Sequence, residues 1–418
     1  MIPSLYARKG PGLSLAPLAG QTRAETVVIG AGLTGISTAL HLAEAGKDVV
    51  VLDTHEPGWG ASGRNGGQVN PGLKMPPEQV LKDFGPTIGA RLVDKAWNAP
   101  DLVFDLIARH SIDCDAARGG TIRAATASSQ LDALRELTRQ CENYSGPVMW
   151  LTAADMTQRT GASVYAGGMI DARGGQIDPL AYTRGLAKAA ISAGARIHDQ
   201  SRVKSVVRRG TEWAVATDQG EVVAQSVVMA TNGYSGRLLD KMRRSIIPLF
   251  SAVVATEPLP EILRAKILAE REVVYELGEI TTYYRVDAQG RFLMGGRSAS
   301  HDLQGPDAFP YLKARALKLW PELKTLQWTS GWNGQLAMTL DHYPHYHEPA
   351  RGLMACLGYN GRGVAMATLM GQNLAEVLQG GEPLFPAQPI KPVPLHFGWK
   401  AGVIAGIARG RLKDRFGL

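Results

Sequence analysis

Gly30, Gly32 and Gly35 stand in G-x-G-x-x-G spacing inside GAGLTG, with Leu33 and Thr34 between the last two, and Asp53 closes the next apolar run. Residues of these types at this spacing can hold a dinucleotide. The first glycine permits a tight turn, the second lets the backbone approach a pyrophosphate, and the third lets a helix pack closely on a strand. The helix that opens there offers free N–H groups and about half a positive charge to the phosphates. An acid at the end of the following strand can accept hydrogen bonds from a ribose diol.

A second cluster follows at once. Residues 58–73 read GWGASGRNGGQVNPGL, a stretch too poor in side chains to pack a core. Gly60, Ala61, Ser62, Gly66 and Gly67 leave their N–H groups exposed, which makes a concave nest for anions or carbonyl oxygens. Arg64 adds charge, and Asn65 and Gln68 add amide donors and acceptors. The loop is predicted to lie along a ligand. A flavin dinucleotide, whose ring system needs such an added cradle, suits it better than a nicotinamide dinucleotide. On these residues alone a nicotinamide dehydrogenase stays open.

Nothing comparable points to side-chain nucleophiles or metals. There is no G-x-S-x-G, and no acid–base pair stands out to be assigned as catalytic. His342, His345 and His347 in HYPHYH form the histidine cluster of the chain, read as a polar loop rather than a metal site. Cys114, Cys141 and Cys356 are widely spaced and odd in number. They suggest neither a disulfide framework nor a zinc site, and they fit a reducing compartment.

The elements that must position these residues can be read from periodicity. TVVIG (26–30) and DVVVLD (48–53) are short buried strands; LTGISTALHLAEAG between them carries Leu33, Ile36 and Leu40 on one helical face and ends at Gly46. DPLAYTRGLAKAAISAGARI reads as a helix with Asp178 as its cap, Pro179 in its first position and Gly194 at its end. Strand-like runs at 203–207, 213–217 and 222–229 continue this α/β unit. Residues 246–256, 280–297 and 325–340 alternate and carry aromatics, as a mostly antiparallel sheet would, with DAQG as a hairpin turn. Residues 80–145 carry helical patterns. The prediction is an α/β, Rossmann-like nucleotide-binding domain from 1–90, 160–243 and 327–395, and an α+β substrate domain from 91–159 and 244–326. A proline-rich linker, 382–394, leads into a terminal helix within 396–418.

Composition bounds the partners. The 418 residues are 45% hydrophobic and 20% charged, ordinary for a globular protein, with a net charge of +7. No dense basic run with interleaved aromatics occurs, so nucleic acid is not an expected partner. The N-terminal GPGLSLAPLAG is too broken for a signal-peptide core, and AGVIAGIA (401–408) is far short of a membrane span. The expectation is a cytoplasmic protein. HFGWKAGVIAGIARGRLKDRF has an apolar body and a basic end that could lie on anionic lipid. A peripheral membrane dehydrogenase that feeds quinones is therefore a second reading. Oligomeric state is left unassigned.

The stretches VVIGAGLTGISTALHLAEAGKDVVVLD and GWGASGRNGGQV resemble the D-amino-acid oxidase, glycine oxidase and sarcosine oxidase superfamily of flavoproteins. GASGRNGGQ and the tail LKDRFGL look like the branch that includes γ-glutamylputrescine oxidase. VVMATNGYSGRL (227–238) is similar to the family's strand and turn that close the nucleotide domain, and LGYNGRGVAMATLMGQNLAEVLQGG (357–381) to its last glycine-rich turn and helix. The resemblance implies a glutathione-reductase-type FAD-binding domain. It adds to the cofactor residues Val203, Thr231, Asn232, Gly233, Gly334, Gly358, Asn360, Gly361, Arg362, Gly363 and Val364. It implies oxidation of a C–N bond in an amine or amino acid, with oxygen or another electron acceptor. γ-Glutamylated polyamines and cyclic secondary amino acids such as L-pipecolate are the substrate classes considered.

Some relatives tether flavin through a cysteine near the equivalent of Gly334 or a histidine near that of Gly60; neither is present here, so FAD is expected to be non-covalent. Ala365 stands where the sarcosine-oxidase branch has a carboxylate-binding lysine. Arg285, Arg297 and Arg362 are the arginines considered for that task, and Tyr283, Tyr284, Trp332 and Tyr359 the aromatic walls.

Overall fold

The apolar run that ends at Gly30 becomes the middle of a sheet. A computed structural model describes residues 4–10, 12–236, 238–298 and 301–416. Gly20–Ile29 pairs in parallel with Val49–Leu52 on one side and with Gly220–Met229 on the other. Arg196–His198 extends the sheet beyond Val49–Leu52. Leu353–Leu357 and His345–Ala350 extend it beyond Gly220–Met229, and the hairpin Ser205–Arg209 and Glu212–Ala216 also joins Gly220–Met229. The run predicted at 203–207 forms its strand two residues later, which leaves Val203 in the extended lead-in.

Helix Leu33–Glu44 lies on this sheet at the distance that Gly35 permits. A Cβ there would sit 1.9 Å from the Gly30 carbonyl oxygen. Helix Gly363–Leu378 packs on it. At their crossing a Cβ on Gly371 would meet Thr34 O and Ser37 Cβ at 2.5 Å, and Ser37 Oγ donates to Thr368 O at 2.8 Å. Helix Pro179–Ser192 starts as its sequence requires: Asp178 Oδ1 accepts from Leu180 N and Ala181 N, a cap that stabilises by about 1 kcal/mol.

The second sheet also has eight strands, in the spatial order Trp328–Met338, Ile247–Pro258, Arg291–Arg297, Tyr283–Val286, Val273–Glu276, Thr121–Ala125, Gly167–Asp171, Val148–Leu151. It is mixed: Val273–Glu276 runs parallel to Thr121–Ala125, and the other pairings are antiparallel. Asp287 fixes the DAQG turn by accepting from Gln289 N and Arg291 N. One face is covered by helix Pro310–Leu319 over a core containing Tyr284, Phe292, Phe309 and Trp320.

Sheet pairing and core packing cut across the sequence boundaries. Gly167–Asp171 and Trp328–Met338, counted with the nucleotide segments, pair in the second sheet. Leu92, Val93, Trp97, Val103 and Leu106, counted with the substrate segments, share a core with helix Leu33–Glu44. Helical periodicity shows which face is apolar but not which sheet that face will cover.

No helix among the described residues is long and apolar enough to cross a membrane. The terminal helix is Trp399–Phe416; Gly417 and Leu418 of the predicted 396–418 element lie outside the described residues. Leu395, Phe397 and Ile404 are exposed, whereas Gly410 is buried.

Candidate functional site

A cavity of about 770 Å³ runs from the glycine turn to the second sheet. That is within the usual range for a cofactor or ligand site. Of the residues singled out in the sequence, Gly30, Gly32, Leu33, Thr34, Asp53, Gly60, Ala61, Ser62, Arg64, Asn65, Gly66, Gln68, Val203, Thr231, Asn232, Gly334, Asn360, Gly361, Arg362, Gly363 and Val364 line it. Gly35, Gly67, Gly233 and Gly358 do not border it. They stand behind its wall: a Cβ on Gly67 would strike Ile177 O at 2.3 Å and one on Gly358 would strike Thr339 Cγ2 at 2.4 Å.

The glycine-turn end of the cavity is built largely by backbone. Asp53 Oδ2 accepts from Ala31 N at 2.6 Å and Oδ1 from His55 N at 2.9 Å, which ties the strand end to the glycine turn. Burial pushes the Asp53 carboxyl up, against the pull of those N–H groups. Ser62 Oγ accepts from Leu33 N, so the glycine loop reaches the first turn of the helix. Asn65 folds the loop on itself by donating to Ala61 O and Ser62 O and accepting from Gly67 N. The Arg64 guanidinium stacks 4.2 Å from the Trp59 ring centroid and donates to Trp59 O. Gln68 donates to Val274 O and fastens the loop to the second sheet.

Among the substrate residues proposed from sequence, Tyr283, Arg297 and Tyr359 line the cavity; Tyr284, Arg285 and Trp332 do not. Strand parity turns Tyr284 to the far face, where its hydroxyl donates to Tyr165. Arg285 is a brace for the loop: it donates to Gly66 O at 2.6 Å, Gln176 Oε1 at 2.7 Å and Tyr6 OH at 3.2 Å. Trp332 Nε1 donates to Arg64 O, and its ring meets Tyr6 edge-on. Arg285→Ala is expected to lower stability by about 3 kcal/mol, because it strands buried acceptors that it now satisfies. A urea unfolding midpoint equal to that of the unaltered protein would show that the loop holds itself.

The sheet end of the cavity is cationic. Lys74, Arg123, Arg297 and Arg362 all line it. Arg362 donates to Pro71 O and Tyr275 OH. Arg123 and Arg362 lie 5.7 and 5.4 Å from the Tyr275 ring centroid. The Lys74 ammonium and the Arg297 guanidinium have no hydrogen-bond or ion-pair partner among the described residues. Burial pushes both groups down, and for Lys74 the repulsion of Arg297 and Arg362 adds to it. Glu276 is the acid on this wall, and it is occupied by Arg315 and by the Tyr165 hydroxyl. Sequence reasoning missed Lys74, Arg123 and Tyr275. Lys74 had a signal, since it is the lysine inside the glycine-rich stretch's own exit, GLKMPP.

The histidine loop is a local network. His345 Nε2 pairs with Asp341 at 2.9 Å, and His347 Nδ1 bonds Gln388 O at 2.7 Å. Among the described residues no group of three or more potential ligands converges on one point to hold a metal ion.

The site fits a flavin dinucleotide in its own terms. The glycine turn and the loop line one stretch of the cavity, and Gly32 leaves a gap that a Cβ would close to 2.9 Å from Ser62 Oγ. Comparison with known proteins agrees. The family model described as "FAD dependent oxidoreductase" (DAO) matches residues 25–377. The γ-glutamylputrescine oxidoreductase of Escherichia coli (strain K12) is 32% identical over 404 residues, 94% of this chain and 93% of that protein. A probable oxidoreductase, OrdL, of Haemophilus influenzae is 32% identical over 373 residues, 88% of this chain and 85% of that one. The crystal structure of glycine oxidase from Geobacillus kaustophilus superposes with a TM-score of 0.73 at 22% identity, covering 89% of this chain and 99% of that one.

Proposed function

Since the chain belongs to the DAO family of FAD dependent oxidoreductases, we propose that it oxidises the C–N bond of an amine that also carries a carboxylate, through non-covalent FAD. Family membership sets aside the nicotinamide reading. γ-Glutamylated polyamines and cyclic secondary amino acids such as L-pipecolate both meet the description. The observation that carries the substrate class is the pair of unpartnered cations, Lys74 and Arg297, on the cavity wall.

FAD would lie against Gly30, Gly32, Gly66 and Gly361 and would supply a two-electron acceptor for oxidation of the substrate's C–N bond to C=N. The protein's residues set the conditions for this. Arg297 and Lys74 hold the carboxylate by charge-assisted hydrogen bonds; in a cyclic amino acid this fixes the carbon that is oxidised, and in a γ-glutamylated polyamine it anchors the end of the substrate remote from the reacting amine. The same cations, with Arg123 and Arg362, disfavour a further positive charge nearby and shift the substrate amine to its neutral form. Only that form has the lone pair the reaction needs. Tyr283, held by a 2.9 Å bond between its hydroxyl and Ser251, and Tyr275 form walls that exclude water.

Acid precipitation should release the yellow colour into the supernatant. An anaerobic visible spectrum, recorded while adding L-pipecolate, γ-glutamylputrescine, sarcosine and putrescine separately, tests the rest. A carboxylate-bearing amine should bleach the flavin band and carboxylate-free putrescine should not. Equal bleaching by putrescine would overturn the substrate class. Admitting air then shows whether oxygen is the acceptor.

A further inference from the structure

One wall of the cavity is a row of residues across the second sheet. Gly295 pairs with Tyr283, Tyr283 with Tyr275, and Tyr275 with Arg123. Residues paired in register share a face of the sheet, and Tyr283, Tyr275 and Arg123 all line the cavity. Their chain neighbours Tyr284, Val274 and Ile122 lie in the core on the other face. Arg297 stands two residues beyond Gly295, on the cavity's face by strand parity. Strands lie about 4.8 Å apart, so three steps put the Arg123 backbone about 14 Å across the sheet from that of Gly295. The row begins beside Arg297, crosses two tyrosines and ends in a second arginine.

Arg123 is 7% exposed, and it has no hydrogen-bond or ion-pair partner among the described residues. Its guanidinium lies 5.7 Å from the Tyr275 ring centroid. Arg362 flanks the same ring but is tied to Pro71 O and Tyr275 OH. Glu276, the acid on this wall, is taken by Arg315 and Tyr165. A buried guanidinium without a counter-charge is costly to hold. One that faces a ligand cavity is a preformed site for a carboxylate, whose shape its fork matches. We propose that Arg123 is a specificity-determining residue that receives a second carboxylate of the substrate, at the opposite end of the tyrosine row from Arg297. Among carboxylate-bearing amines the enzyme then prefers an extended one with an anionic group at each end, its carbon chain lying over Tyr283 and Tyr275. The inference rests on the reading above that Arg297 holds the first carboxylate.

The test uses the FAD-loaded enzyme and straight-chain dicarboxylates from succinate to suberate, each against the monocarboxylate of the same length. Binding is read from the perturbation of the flavin spectrum. At one best length the dicarboxylate should bind about tenfold more tightly than its monocarboxylate, as a gained charge-assisted hydrogen bond does. In Arg123→Gln, with FAD content unchanged, that advantage should fall to within about twofold. An advantage equal at every length would come from the cations' common field and would overturn the proposal, as would one that survives Arg123→Gln. Loss of FAD from a folded Arg123→Gln would assign the residue to the cofactor and equally overturn it. Arg297→Ala checks the premise. If it leaves monocarboxylate affinity unchanged, the reading of Arg297 fails and this proposal with it. If it weakens the monocarboxylates while no dicarboxylate gains over them, only the role of Arg123 is lost.

Discussion

Gly66→Leu is expected to yield a folded protein with less than a tenth of the normal FAD content. The reason lies in what surrounds that position. Gly66 lines the cavity, and a Cβ on it would sit 2.5 Å from Cε2 of Tyr283. The ring cannot step aside freely, because its hydroxyl is bonded to Ser251 and it lies in the wall of a sheet. Gly66 O is meanwhile tied to Arg285. The loop backbone is held on one side and the ring on the other, so the added atoms go into the cavity. A loss of FAD affinity of roughly a hundredfold, about 3 kcal/mol, follows if they displace the flavin's contacts. Absorbance at the flavin band against protein concentration measures it, and far-ultraviolet circular dichroism shows whether the fold remains. Normal FAD loading would mean that the loop does not lie against the cofactor.

Arg297→Ala is expected to keep its FAD and lose most of its activity. Truncating one partner of a desolvated, charge-assisted contact costs about 2–5 kcal/mol. That corresponds to a fall in kcat/KM of roughly 30- to 5,000-fold. Most of the loss should appear in KM, because the carboxylate contact is present in both ground and transition states. Arg297→Lys should recover only part of it, since an ammonium cannot offer the guanidinium's paired donors. Steady-state kinetics on FAD-replete protein decide the matter. An unchanged kcat/KM would remove Arg297 from the substrate site.

The glycine-lined end of the cavity was far more legible in the sequence than the end walled by side chains, and the reason is physical. Backbone-lined sites are written in glycines, whose spacing is local: Gly30 to Gly35 and Gly58 to Gly67 each build a surface within one short stretch. Substrate walls are written in side chains drawn from distant strands. Tyr283, Tyr284 and Arg285 are all candidates by residue type, yet consecutive residues on a strand cannot all face one cavity. Tyr284 turned away, and Arg285, on the same face as Tyr283 but two residues on, reaches the loop instead of the cavity. Tyr6 gave no signal at all, although it supports both Arg285 and Trp332. The short strands Thr121–Ala125 and Val148–Leu151 were hidden among helical patterns, because four or five residues carry too little periodicity to be recognised.

The hydroxyls of Thr34 and Tyr359 meet at 2.5 Å across 325 residues of chain, and Leu353–Leu357 completes the sheet begun at Gly20. During synthesis, at about 5–20 residues per second, the first βα turn leaves the ribosome on the order of half a minute before the residues that close its pocket. For that interval Val27, Val28, Ile36 and Leu40, all fully buried in the finished protein, have no permanent cover. Chaperone cover at this stage, and cofactor capture only once Leu353–Leu357 has emerged, are the outcomes expected from the wiring of the sheet. A circular permutant that begins near residue 340 would bring the two ends of the pocket together early, and it should mature faster than the natural order of the chain.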